Sequence, residues 1–434
     1  MDKNTIKKYS GTLNSEVKSK SGIIESIRQK AVTELELIDF PDKKNEEWKY
    51  TNIKPLITAD YNFFSGTGIN AKDIDKFIIP GMNADIAVFI NGIFRNDYSK
   101  ISNGKTNGVL IDSLKTNYDD KKELISKHFG LNTDLKNNIF TTVNTALTND
   151  GILISIPDNY ELTKHLYILN IIDSSIANTY VNTRNIIITG KKSSSTIIMQ
   201  TVFNGRNKGF INEVNEMYAG EDSKINLFKI QTDKNTGSEI SLTSVEQDGN
   251  SVFNSVTISW GGAFIRNNLN SILKGEGSEC HLYGLYICND DRLVDNHSFV
   301  DHFSPNANSN ELYKGIIADK STGVFNGKVL VRKDAQKTNA YQSNKNILLS
   351  DTAIIYSKPQ LEIFADNVKC SHGAATGQIN EEELFYIRSR GISEKEAKSI
   401  LLTGFASEII EQIKDDSLKL FLQNSLEEKL REIS

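Results

Sequence analysis

The sequence predicts a mainly β chain, built as a β-solenoid with helices at both ends. Three observations carry this. Between about residues 84 and 370, short β-like runs follow one another, with Gly, Asp, Asn and Ser separating many of them. No repeat with a propeller-blade signature accompanies them, and a sandwich of this length would be unusually large. Toward both termini the apolar spacing changes to three and four, the period of a helix. A solenoid tolerates irregular corners because each turn needs only to stack on its neighbours. Periodicity alone puts the solenoid ahead and leaves the sandwich and the propeller open.

In chain order, Leu13, Val17, Ile23, Ile24, Ile27, Ala31, Leu35 and Ile38 form the first helical pattern, which Pro41 ends. The segment 44–52 follows, where Trp48 and Tyr50 are expected to pin an arm onto the rest of the protein. Ala87 to Phe94 reads as a hairpin because Asn91-Gly92 suits a type I′ turn. A helix is expected around Asp119–Phe129. The β runs then include 152–156, 166–172, 185–189, 195–203, 224–230, 239–245, 252–258, 268–273, 281–287, 323–331 and 346–349. A solenoid strand should alternate inward apolar and outward polar side chains, and in Ser251–Ser259 the parity of Val252, Val256 and Ile258 reads as the inward one, which Phe253 breaks. Past residue 380, Asn380 is a helix N-cap, Gly391 a stop, and Ser393 with Glu396 a capping box. Ala397, Ile400, Leu401, Phe405, Ile409 and Ile413 form one apolar stripe. Leu418, Phe421, Leu422, Leu426 and Leu430 form another. The expected division is a mostly helical region 1–83, a β core 84–370 and a helical domain 371–434.

The chain has 434 residues and a formal charge of -5. The acidic balance argues against a general nucleic-acid or anionic-membrane binder. No apolar run is long enough to span a bilayer, and the N-terminal residues lack the apolar core of a signal peptide, so a cytoplasmic protein is expected. Three cysteines without a CxxC do not make a disulfide framework.

One segment concentrates chemistry, Asp366-Asn-Val-Lys-Cys-Ser-His-Gly373. In an extended chain Cys370 and His372 present a sulfur and an imidazole on one face. Such ligands suit iron–sulfur chemistry, zinc or copper(I), but two do not close a site. The missing ligands would have to come from elsewhere, and a partner docked on the solenoid's last turn would also cover its unpaired edge. His297 and His302, five apart, fall on opposite strand faces and read as structural or interface residues. Asp290, Asp291, Asp295 and Asp301 raise the carboxylate pair of a glycoside hydrolase, but acidic residues at solvated corners explain them equally well. Cys280 and Cys288 read as buried small hydrophobes. The chain has no GxxxxGK[ST], HExxH or G-x-S-x-G.

Several motifs, taken in order, resemble the SufB/SufD family of iron–sulfur cluster assembly proteins. They are Val294-Asp-Asn-His297, Glu311-Leu-Tyr-Lys-Gly315, Val324-Phe-Asn-Gly-Lys328, Asp334-Ala-Gln-Lys-Thr338, Lys358-Pro-Gln-Leu-Glu362, Asp366–Gly373 and Phe385-Tyr-Ile-Arg-Ser-Arg-Gly391. Within that family, Asn45-Glu-Glu-Trp-Lys-Tyr-Thr51 and the length are more similar to SufD than to SufB. The resemblance implies a right-handed parallel β-helix with an N-terminal helical region and a C-terminal helical domain. It implies a non-catalytic scaffold that pairs with a SufB-like chain through the β-helix. A SufC-like ATPase would dock on the C-terminal helices, and the isolated chain could form a homodimer. It also implies that Cys370 and His372 lie at the SufB interface, where iron or an iron–sulfur cluster is held transiently and no cofactor is bound tightly. The alternatives are a SufB-like main scaffold and a β-helix carbohydrate-active enzyme.

Overall fold

The computed structural model describes residues 2–16, 20, 22–63, 66–102, 107–130, 135–234 and 237–433. Its core is a β-solenoid of about eight turns. Successive strands alternate between a ten-stranded and a nine-stranded sheet, so sheet neighbours lie two strands apart in sequence. They run parallel and in register, as where Phe264, Leu293, Thr322 and Ile354 stack in one column. Among the described residues, only the start of the stack departs from this. Ala84–Ile90 pairs antiparallel with Ile93–Phe94, and Leu110–Ser113 with Ile152–Ile156. Asn91 and Gly92 have φ of 50° and 77°, the pair of positive values that a type I′ hairpin requires.

Corners stack as closely as strands do. Asp222, Asn250, Asp290, Asn306 and Asp319 take left-handed φ at their corners, as short polar side chains tolerate. A Cβ on Gly275 would lie 1.9 Å from the backbone nitrogen of Gly249, one turn below. Gly275→Ala is therefore expected to push two corners apart and cost about 1–3 kcal/mol, read from the urea midpoint.

The strand 252–259 shows how the faces are assigned. Phe253 is fully buried inside the solenoid, stacked between Ile225 and Cys280. Val256 and Ile258 point outward and are buried because helices cover that face. The parity taken from the sequence as the interior is thus the exterior, and Phe253 is no irregularity. Those covering helices are Glu394–Ile410 and Asp416–Ile433. They press Leu402, Ala406, Ile409, Leu418, Leu422 and Leu426 onto Phe228, Ile258, Leu285 and Ile316. Lys314 Nζ donates to the Phe405 carbonyl at 2.8 Å, and Trp260 Nε1 to Ser425 Oγ at 3.2 Å. Ser393 and Glu396 form the expected capping box, and Asn380 caps the helix Glu381–Arg388. The buried stripe differs from the expected one, since Ile400 is exposed and Leu402 and Ala406 are buried.

The opposite face of the solenoid is covered by N-terminal helices, Lys3–Glu16 and Ile23–Leu37. Leu13, Ile24, Ala31 and Leu35 are buried there, and Val17 lies outside the described residues. Between them and the sheet sits Ile139–Ala146, a helix with every residue buried. The arm after Pro41 is pinned as expected. The Arg266 guanidinium lies 3.7 Å from the Trp48 ring centroid, and Tyr50 stacks on Tyr356 at 3.9 Å. Lys122–His128 is the helix expected near 119–129.

Candidate functional site

Each sheet ends on a strand with one unpaired edge, Ile354–Ile363 in one and Lys369–Gly377 in the other. Lys369–Gly377 is exposed along nearly its whole length, and Ile354–Ile363 is partly exposed with no residue buried. Lys358 and Pro359 stand in the first of these, and charge and proline are the residues that blunt an edge. Apolar side chains are exposed around the same end, including Tyr341, Ile354, Ile363 and Phe364.

The last strand carries both predicted ligand residues. Its register places Cys370 beside Ala340, His372 beside Gln342 and Gly373 beside Ser343. Ala340, Gln342, Asn344 and Asn346 are buried while Tyr341 and Lys345 are exposed, so the even positions face the interior. Cys370 and His372 inherit that direction and sit side by side at the mouth of the solenoid. Lys369 has the opposite parity and does not share their face. The turn before them is fixed by backbone bonds, Lys337 N to Asn367 O at 2.6 Å and Lys369 N to Thr338 O at 2.8 Å. A Cβ on Gly373 or Gly377 would meet nothing within 4 Å, so the strand's outer side is open.

Cys370 is half-buried and packs its sulfur against the end of the core. That burial pushes its thiol above the ordinary cysteine range, against a smaller opposing hydrogen bond from Ala340. Since the thiolate is the ligating form, metal arrival must displace the proton. Among the described residues no third His, Cys, Asp or Glu joins the pair in a metal-sized group. Sulfur and imidazole are donors that suit iron, and two of them would make only half of a four-ligand shell.

The other candidates have structural roles. Cys280 and Cys288 are fully buried, and burial pushes both thiols up to about 12. His302 points inward and bonds Ser309 Oγ at 2.8 Å. His297 points outward, 2.9 Å from Asp295 and 3.2 Å from Glu47. Asp295 is not at a solvated corner. It is buried, and Arg266 and His297 hold it at about 2 against the desolvation that would raise it. Thr51 Oγ1 also donates to it at 2.5 Å, so this cluster fastens the N-terminal arm. Asp301 is engaged by Arg332 through two bonds of 2.9 and 2.8 Å. Both carboxylates are thus spent on ion pairs, not on a hydrolytic couple.

Residues 171–405 match the family model for the SUF system FeS cluster assembly SufBD core domain, and residues 2–168 match that for the SufBD protein N-terminal region. The chain belongs to the SufBD family. An iron–sulfur cluster assembly SufBD family protein of Synechocystis sp. is 31% identical, over 92% of this chain and 90% of that protein. The iron–sulfur cluster assembly protein SufD of Escherichia coli is 27% identical, over 88% of this chain and 87% of that protein. Among the described residues no helix of this SufBD chain is long and apolar enough to cross a membrane.

Sequence reasoning missed what lies beneath the pair. Glu311 belongs to a quoted motif, but its inward position is visible only once the strands are stacked. The available signal was a carboxylate at the parity of Tyr313, which is itself buried.

Proposed function

We propose that this chain is a SufD-like, non-catalytic scaffold subunit of a SufB–SufC–SufD complex for iron–sulfur cluster assembly. The observation that carries the reading is the solenoid's open end, where two unpaired strand edges frame Cys370 and His372. A SufB-like chain would extend the sheets, cover the exposed apolar residues there and supply the missing ligands. Iron or a nascent cluster is then cargo held between chains. The likeness to SufD of Escherichia coli supports this subunit assignment.

The C-terminal helices would receive the SufC-like ATPase. Their buried stripe is used on the solenoid, yet Phe385 and Tyr386 remain 75% and 58% exposed, and Ile400 49%. Lys314 ties the same helices to the strand Asn308–Ile317, two strands before the one that bears the cysteine. Movement of the helices on ATP binding would therefore act on the solenoid that ends at the site, provided the contacts differ between nucleotide states.

The test is the assembled complex with Cys370→Ala, His372→Ala and both. Each is expected to leave co-purification intact and lower cluster yield about tenfold or more, by the scale of lost metal-site contacts. Unchanged yield in the double variant removes the site. Separately, Phe385→Ser with Tyr386→Ser is expected to weaken ATPase retention without changing the thermal midpoint. Full retention of the ATPase would move its docking surface elsewhere.

A further inference from the structure

The interior column beneath His372 has an unmet hydrogen bond at its top. In register it runs Leu227, Ser255, Leu282, Glu311, Gln342 and His372. Gln342 is 3% exposed, and its Nε2 donates to Glu311 Oε2 at 2.6 Å. With Glu311 Oε2 accepting, the amide nitrogen faces Glu311 and the amide oxygen faces away. That Gln342 Oε1 is buried and has no partner. The side chain's direction is built into the fold, because Gly327 leaves room for it. A Cβ there would fall 2.3 Å from Gln342 Nε2.

A buried acceptor without a donor costs about 1–3 kcal/mol, and covering the open end removes the water that could otherwise reach it. The neighbour in register on the next strand is His372, which offers a ring N–H. An imidazole that ligates metal through one nitrogen characteristically donates from the other to an oxygen, which fixes its tautomer and orientation.

We propose that Gln342 is a positioning residue for His372: when the solenoid's end is covered, Gln342 Oε1 accepts the free N–H of the His372 ring, and Glu311 holds the amide in the orientation that allows it. This rests on the reading of His372 as a ligand at the covered edge. The imidazole is thereby held with its other nitrogen turned toward the mouth, where Cys370 Sγ stands beside it. No bond is made or broken by Gln342; it selects one ring tautomer and one ring orientation.

The experiment is solid-state nuclear magnetic resonance on the full chain, labelled with ¹⁵N-histidine and assembled with its partner chains. Six histidines give the signals, and His372→Gln assigns the one of interest. The expected result is a single neutral tautomer for His372, with a ring proton exchanging at least about tenfold more slowly than in the isolated chain, and a mixture of tautomers in Gln342→Met. A rapidly exchanging His372 ring proton in the unaltered complex would overturn the proposal without recourse to any variant. So would an unchanged tautomer in a folded Gln342→Met complex. Glu311→Gln, which frees the amide to turn, is expected to give the mixture as well. Retention of ferrous iron by His372→Gln is scored separately. Full retention there sinks the ligand reading, whereas the tautomer result judges only the role of Gln342.

Discussion

Replacing Arg184 with Met is expected to destabilise the protein by about 3–5 kcal/mol, the cost of leaving one member of a buried ion pair alone. Arg184 and Glu216 are both fully buried, with guanidinium nitrogens 2.8 and 2.5 Å from Glu216 Oε2. Burial pushes the Glu216 carboxyl upward and Arg184 draws it back down. The same guanidinium lies 4.4 Å from the Phe129 ring centroid and donates to Thr145 Oγ1 at 3.1 Å, while Gly130 N donates to Glu216 Oε1 at 2.7 Å. The pair therefore joins the solenoid to the N-terminal region across the sheet's outer face. Urea unfolding should show the loss, and Arg184→Met with Glu216→Leu should recover most of it, because two apolar side chains leave no stranded charge. If the double variant is as unstable as the single one, packing at the seam, rather than the unpaired carboxylate, sets the cost.

What could be read from the sequence follows from the range of the forces involved. The Cys370–His372 pair was legible because strand alternation is local: two residues apart means one face. The Asn91-Gly92 turn and the Ser393–Glu396 capping box were legible for the same reason, each being complete within four residues. Gly209–Ala219 was not recognised as a strand, since Asn212, Glu213, Asn215 and Glu216 look solvated until neighbouring turns supply their partners. Ile139–Ala146 was missed because a helix buried all round has no polar face to set a period. The inward parity of 252–259 was misassigned because covering helices make the outer face apolar too. The column Glu311–Gln342–His372 depends on turn length and register, which residues far apart decide together.

Two buried groups on consecutive strands, one in each sheet, should give this protein opposing pH dependences that nearly conceal each other. Burial lowers His302 from 6.5 to about 4, only partly opposed by Asp301. The folded state thus prefers the neutral ring, and its contribution is complete above pH 6.5 and lost as pH falls toward 4. Burial raises Glu311 from 4.5 to about 7, against the hydrogen bonds that favour its ionised form. Here the folded state holds a proton that the unfolded chain gives up, so stability is complete below pH 4.5 and lost as pH rises through 7. Each effect amounts to about 3 kcal/mol at most, and neither group is a direct neighbour of the other's charge. The unaltered protein is expected to show a shallow urea-midpoint profile between pH 4.5 and 7. Glu311→Gln should expose the His302 slope, with stability falling toward acid. His302→Gln, which keeps a donor for Ser309, should expose the Glu311 slope, with stability falling toward alkali. Parallel profiles in the two variants would mean that neither group carries its proton as its burial dictates. The crossing is the sharper reading because surface carboxylates shift both curves together and cannot produce opposite slopes.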